Sequence, residues 1–231
     1  MELINTIDLW LLRAINGPAG QWPAFDRFVN ILRDGALLKA GPLVALWWWL
    51  WFTRRDLPHA RARLLAVLLI SVPALALGRV LAMTLPFRNR PLHEPELTVN
   101  IPVDMPERLL TGWSSMPSDH AVMFLSIATA LFFVTRSAGW MAVTFAAVLV
   151  CLPRVYSGVH YPSDILVGGL VGALVALALV PRLSRAIAWA GLDQLPPVRH
   201  ASLTVLAALM SINIATMYEM PRSLLISLGL Y

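Results

Sequence analysis

Two stretches of this chain, 138–152 and 165–181, contain no charged residue at all. An apolar run of that length is costly to expose to water. In hydrocarbon it is stable as a helix, which pairs every backbone N–H and C=O within the segment, and 15 or more residues without a charge exceed the roughly 9–11 of a barrel strand. This constrains the fold to membrane-spanning helices. Composition agrees: 58% of residues are hydrophobic, 13% are charged and the mean hydropathy is +0.69, whereas soluble domains carry roughly 25% charge. The net charge of +5 does not point to nucleic acid, since the Arg residues gather at the ends of apolar runs. Cys151 is the single cysteine, which excludes an intramolecular disulfide and a cysteine-based metal site.

The pattern predicts an all-α integral membrane protein with about six transmembrane helices, near 37–53, 64–87, 117–135, 138–156, 164–181 and 201–218. Lys39 and Pro42 interrupt the first, and "LWWWLWF" is expected to anchor one of its ends in an interface. Leu3, Ile4, Ile7, Leu11 and Ile15 recur at helical spacing, so the N-terminus reads as an amphipathic helix lying in the interface, not as a cleavable signal. The whole chain, 1–231, reads as one domain: an interfacial N-terminal region (1–36), a core (60–181), and a last span with a tail (201–231). The loops at 54–63 and 182–200 and the turn at Arg136 are rich in Arg, whereas 88–116 and 154–164 carry no positive excess. The first set is therefore assigned to the cytoplasm and the second to the outer face.

Three outer stretches carry the chemistry: "LPFRNRP" (85–91), "SMPSDHA" (115–121) and "RVYSGVHYPSD" (154–164). Ser118 stands where a helix N-cap belongs, which leaves free N–H groups from Asp119 to Ala121, a natural anion site, with His120 on the first turn. The blander alternative is an ordinary cap with a chance histidine. Asp164 follows His160 by four residues and can hold Nδ1–H, leaving Nε2 free as nucleophile or base. The alternative is a polar turn in which Asp164 only caps a helix. Arg88 and Arg90 suit phosphate oxygens, or else snorkel at the boundary. Two histidines, several arginines and a helix N-terminus on one face describe phosphoryl chemistry by positioned cations and acid–base groups. No DxD, HExxH or Walker pattern is present, so neither metal nor cofactor is expected.

Taken together and in order, these stretches resemble the three signature motifs of the type 2 phosphatidic acid phosphatase (PAP2) superfamily: Lys-x6-Arg-Pro, Pro-Ser-Gly-His and Ser-Arg-x5-His-x3-Asp. The resemblance covers roughly 60–181 and implies a PAP2-type helical bundle. It also implies that His160 is a nucleophile forming a phosphohistidine, that Asp164 orients it, and that His120 protonates the leaving group. Arg90, Ser118, Arg154 and backbone N–H groups near Asp119 would hold the phosphate. Three positions depart from the motifs: Met83 replaces the Lys, Asp119 the Gly and Pro153 the Ser. Arg79 or Arg88 is left to supply the missing cation, and Arg88 is favoured because it is nearer the turn. Pro-Ser-Asp-His is similar to the bacterial undecaprenyl-pyrophosphate phosphatase branch. The implied activity is metal-independent hydrolysis of a lipid phosphate, with polyprenyl diphosphate favoured over phosphatidylglycerophosphate or phosphatidic acid. The implied setting is a bacterial inner membrane with the site facing the periplasm, and the lipid substrate and the bilayer as partners. A phosphotransferase, or a transporter or scaffold that has lost catalysis, are the other readings. The loop 92–116 is long enough to lid the site through Leu109, Leu110 and Trp113.

Overall fold

The computed structural model describes residues 2–54, 59–106, 109–192 and 197–219. The expected C-terminal tail at 220–231, the side chains of Leu3 and Ile4, and the loop charges Arg55, Glu107, Arg108 and Asp193 lie outside the described residues or side chains. Ten α-helices are described: α1 (Glu2–Asn16), α2 (Pro23–Asp34), α3 (Ala36–Thr53), α4 (Ala60–Leu69), α5 (Ser71–Thr84), α6 (Asp119–Leu131), α7 (Arg136–Phe145), α8 (Leu152–Tyr156), α9 (Pro162–Trp189) and α10 (Pro197–Ala215). A π-helical segment, Ala146–Cys151, joins α7 to α8, and no strand occurs among the described residues.

Among the described residues, three helices are long and apolar enough to cross a membrane: Ala60–Thr84, Arg136–Tyr156 and Pro162–Trp189. The first carries Pro73, which cannot donate to the carbonyl one turn back, and the helix is broken between α4 and α5 at Ile70. The expected span at 117–135 is a 13-residue helix, α6. It is shorter because Ser118 caps its start, accepting from Ala121 N, while Phe132, Phe133 and Val134 tighten into a turn. The stretch 23–34, expected to be only part of an interfacial region, is a separate helix α2 opened by Pro23.

The main core packs α3, α4, α6, α7, α9 and α10. The Trp cluster of α3 divides between two environments. Trp49 is exposed, whereas Trp47 and Trp51 are buried in the core and stack with ring centroids 5.1 Å apart. Trp47 Nε1 donates to the Leu64 carbonyl at 2.8 Å, so these two rings tie α3 to α4 instead of lying in an interface. On α9 the polarity of a soluble helix is reversed: Leu166, Leu170, Leu174 and Leu177 face outward, while Gly168, Gly172 and Ala176 face in. A stripe of exposed leucines on one helix is stable against hydrocarbon, not water.

The inward glycines let α9 touch α6 backbone to backbone. A Cβ on Gly168 would stand 2.7 Å from the Ser118 carbonyl oxygen, and one on Gly172 would collide with the Val122 carbonyl oxygen. Ser118 N donates to the Asp164 carbonyl at 3.2 Å across the same contact. Gly172→Ala is therefore expected to cost about 1–3 kcal/mol through overpacking. Thermal melting in detergent should fall by several degrees, and an unchanged melting temperature would show that the helices can separate without loss.

Candidate active site

The α6–α9 contact brings two helix N-termini together, one carrying His120 and the other preceded by His160. Between them and the α2–α3 junction lies a cavity of about 260 Å³ lined by Arg33, Asp34, Lys39, Arg79, Arg90, Leu109, Leu110, Asp119, His120, Arg154, Val159 and His160. That is smaller than the roughly 300–1,000 Å³ of drug-sized ligand sites and suits a head group, not a lipid chain. Five cationic side chains face two carboxylates here, which is the electrostatics of an anion site. Among the described residues no group of three or more His, Cys, Asp or Glu side chains is placed to hold a metal ion.

His160 is held by its backbone surroundings. Its Nδ1 lies 2.8 Å from the Ser115 carbonyl oxygen, which can only accept, so Nδ1 carries the proton and Nε2 keeps its lone pair. Nε2 meets Arg90 Nη1 at 3.2 Å. Asp164 stands farther from Nδ1, at 3.5 Å. The expected orienter is thus the second partner, and Ser115, from the second motif's loop, is the first. The Asp164 carboxylate is committed elsewhere: Oδ2 accepts from Tyr161 N at 2.8 Å, capping α9, and Oδ1 accepts from Arg88 at 2.7 Å. Burial pushes His160 below its ordinary pKa. Asp164 opposes this and Arg90 adds to it, so the ring is neutral near pH 7.

His120 has its own carboxylate. Asp119 Oδ1 accepts both the His120 backbone N–H, at 2.8 Å, and Nδ1–H, at 2.9 Å. Asp119 therefore takes a donor that was expected to hold phosphate, because an Asp on the first turn satisfies that N–H itself. In exchange it fixes the ring and leaves Nε2 to the cavity. Its other oxygen pairs with Arg79 at 3.2 Å, and the Arg79 guanidinium lies 4.9 Å from the Trp113 ring centroid.

The arginines divide into two kinds. Arg79, Arg90 and Arg154 line the cavity; Arg88 does not. Arg88 donates to Ser163 and Asp164 through Nη1 and to Asp8 through Nη2, each at 2.7 Å, with its guanidinium 3.8 Å from the Tyr161 ring centroid. Two carboxylates on neighbouring elements hold it outside the cavity. Of the two arginines expected to stand in for the motif lysine, the favoured Arg88 is placed outside the cavity, whereas Arg79, one turn before Met83, lines it, and the Met83 side chain is exposed. Ser118 is likewise corrected: it is fully buried, its hydroxyl spent on Ala121 N, and it does not line the cavity. Arg90 is drawn tight by carbonyls of Trp113, Ser114 and Val159, and its pKa is lowered chiefly by burial. Arg154 donates to Val150 O at 2.9 Å and Arg33 O at 3.4 Å. Pro153 stands inside the helix Arg136–Tyr156, directly after the π-helical segment Ala146–Cys151, whose widened turn accommodates a residue that cannot donate.

A family model described as the PAP2 superfamily matches residues 63–188, more than half of the chain. The chain belongs to the PAP2 superfamily. Over 74 residues it is 40% identical to a protein named bacitracin transport permease protein BcrC from Bacillus licheniformis, covering 31% of this chain and 36% of that one. Over 62 residues it is 42% identical to undecaprenyl-diphosphatase BcrC from Bacillus subtilis, covering 27% and 31%. The matched segments thus span only about a third of the length of these relatives. The crystal structure of LpxE from Aquifex aeolicus aligns with a TM-score of 0.48 at 27% identity, over 75% of this chain and 94% of that one.

Several residues at or around the PAP2 site were not singled out from the sequence. Lys39 and Arg33 line the cavity from α3 and α2, outside the family match. A lysine interrupting an apolar run was the available signal, but without a fold it only weakened the span. Asp8 of α1 is 4% exposed and accepts from Ser163 N at 2.8 Å, capping α9 from another helix. Asp26 is fully buried and accepts from Gly20 N, Val103 N and the Tyr156 hydroxyl. Leu109 and Leu110 line the cavity, while Trp113 meets Arg79. Arg88→Gln should release Asp8 and Asp164 together, lowering stability by roughly 2 kcal/mol and the melting temperature by several degrees. Arg79→Gln, which releases one carboxylate and not two, should lower melting less than Arg88→Gln and weaken binding of inorganic phosphate about tenfold. If the two variants exchanged these outcomes, the assignment of the two arginines would be reversed.

Proposed function

We propose that this PAP2 protein is a lipid phosphatase that hydrolyses a polyprenyl diphosphate to the monophosphate and inorganic phosphate. The observation that carries the reading is His160. A carbonyl holds its Nδ1, its Nε2 lone pair turns toward Arg90, and His120 lines the same cationic cavity. Nε2 of His160 attacks the terminal phosphorus, and the bond from phosphorus to the bridging oxygen breaks. Arg79, Arg90 and Arg154 stabilise the equatorial oxygens of the transferred group. His120 enters this step as the imidazolium, with Nδ1–H held by Asp119, and gives its Nε2 proton to the departing oxygen. A water then attacks the phosphohistidine, His120 takes up its proton, and phosphate leaves. The name of the Bacillus subtilis relative, an undecaprenyl-diphosphatase, supports a prenyl diphosphate as substrate, and the small polar cavity in an apolar bundle supports a lipid whose chain stays in the bilayer.

In this reading the chain is a single membrane-embedded domain. It crosses a bacterial inner membrane with about six helices, α1 lies at the interface, and the cavity opens to the periplasm. The Arg-rich loops on the opposite side support that orientation. The histidine and arginine chemistry predicts that phosphate release by the purified protein from a polyprenyl diphosphate persists in EDTA and falls at least a thousandfold in His160→Ala. Activity retained in that variant would overturn the nucleophile.

The nucleophile must be neutral, and His160 titrates below its usual value of about 6.5. The acid limb of kcat/KM is therefore expected below pH 6.5. An acid limb above pH 7 would contradict the assignment. The sign for stability is the same: protonation favours the unfolded chain, so the His160 contribution is present above that range and is lost as pH falls.

A further inference from the structure

A transferring phosphoryl group has three non-bridging oxygens, and Arg79, Arg90 and Arg154 already suffice for them. Two cationic side chains in the same cavity are left over: Lys39 at the start of α3 and Arg33 at the end of α2. Lys39 is 8% exposed, and its ammonium has neither a hydrogen-bond nor an ion-pair partner among the described residues. Arg33 is 4% exposed; it binds Asp34 through Nε and Nη2, and its Nη1 is buried without a partner. A buried ammonium is costly unless a counter-ion contacts it. Asp34 does not supply it, being bidentate to Arg33 and 62% exposed. Both cations line the cavity from the α2–α3 junction, not from the two helix starts that bring the histidines.

We infer that Lys39, with Arg33 beside it, forms a second anion subsite for the phosphate that stays with the lipid. This rests on the phosphatase reading and narrows it to diphosphates. When the bond between phosphorus and the bridging oxygen breaks, the electron pair goes to an oxygen of this second phosphate. His120 protonates that oxygen, and a fixed ammonium holds the remaining charge of the second phosphate, a group that a monophosphate lipid lacks. The subsite is contributed by α2 and α3, outside the segment that carries the family motifs.

The test is calorimetric binding of inorganic pyrophosphate and inorganic phosphate to the full chain in detergent. Wild type is expected to bind pyrophosphate at least tenfold more tightly than phosphate. Lys39→Met should weaken pyrophosphate at least tenfold and phosphate less than twofold, and Lys39→Arg should restore most of the difference. The melting temperature of Lys39→Met should hold or rise, since an unpaired buried charge has been removed; a fall would assign Lys39 a structural role and overturn the proposal. Equal losses on both ligands would place Lys39 on the transferred phosphate, and no loss on either would remove it from the site; both overturn the subsite. Turnover of a polyprenyl diphosphate is measured on the same samples. Pyrophosphate selectivity without turnover would uphold the subsite and overturn the phosphatase reading alone.

Discussion

The backbone contact between α6 and α9 sets the geometry of everything around it. Each helix begins at the cavity, one with the cap Ser118 and the other with the cap Tyr161, and the two beginnings are joined where Ser118 N donates to the Asp164 carbonyl. Only residues without a Cβ permit this approach, since a methyl on Gly168 or Gly172 would enter the α6 backbone. Because the helices are rigid, fixing this contact fixes where His120 stands relative to His160. The side chains then need little freedom: Asp119 and the Ser115 carbonyl each hold one imidazole by Nδ1.

A second constraint is electrostatic. Charged groups inside an apolar bundle persist only when they are paired, latched to carbonyls or waiting for a ligand. Arg88 belongs to the first kind, bridging Asp8 and Asp164 and so tying α1 to the start of α9. Arg90 belongs to the second, stitched to Trp113, Ser114 and Val159. Lys39 belongs to the third. Two arginines separated by one residue thus do different work, and the difference lies in which partners the fold brings within reach, not in their sequence context.

Motif spacing made much of the site legible. His160, Asp164, His120, Arg90 and Arg154 are brought to the end of one bundle, and Ser118 caps α6 as its Pro-Ser-Asp setting implies. Local patterns failed where the answer depended on a distant element. Arg88 was favoured over Arg79 by nearness to a turn, but Asp8, remote in sequence, captures Arg88. Two of the tryptophans expected at an interface are in the core, because α4 offers Trp47 a carbonyl and an apolar wall.

By itself, then, the sequence determined that the chain is helical and lives in a bilayer, and that it carries three ordered motifs of histidine, arginine and aspartate. Hydrophobic runs and residue spacing are local properties, and a helix of fixed pitch turns them directly into faces and ends. Only the tertiary structure decided which carbonyl holds His160, which arginine meets the cavity, and that Lys39 and Arg33 join it from the first third of the chain. These are contacts between segments far apart in sequence. Their energies depend on burial and partner geometry at a few ångströms, which no single stretch of residues encodes.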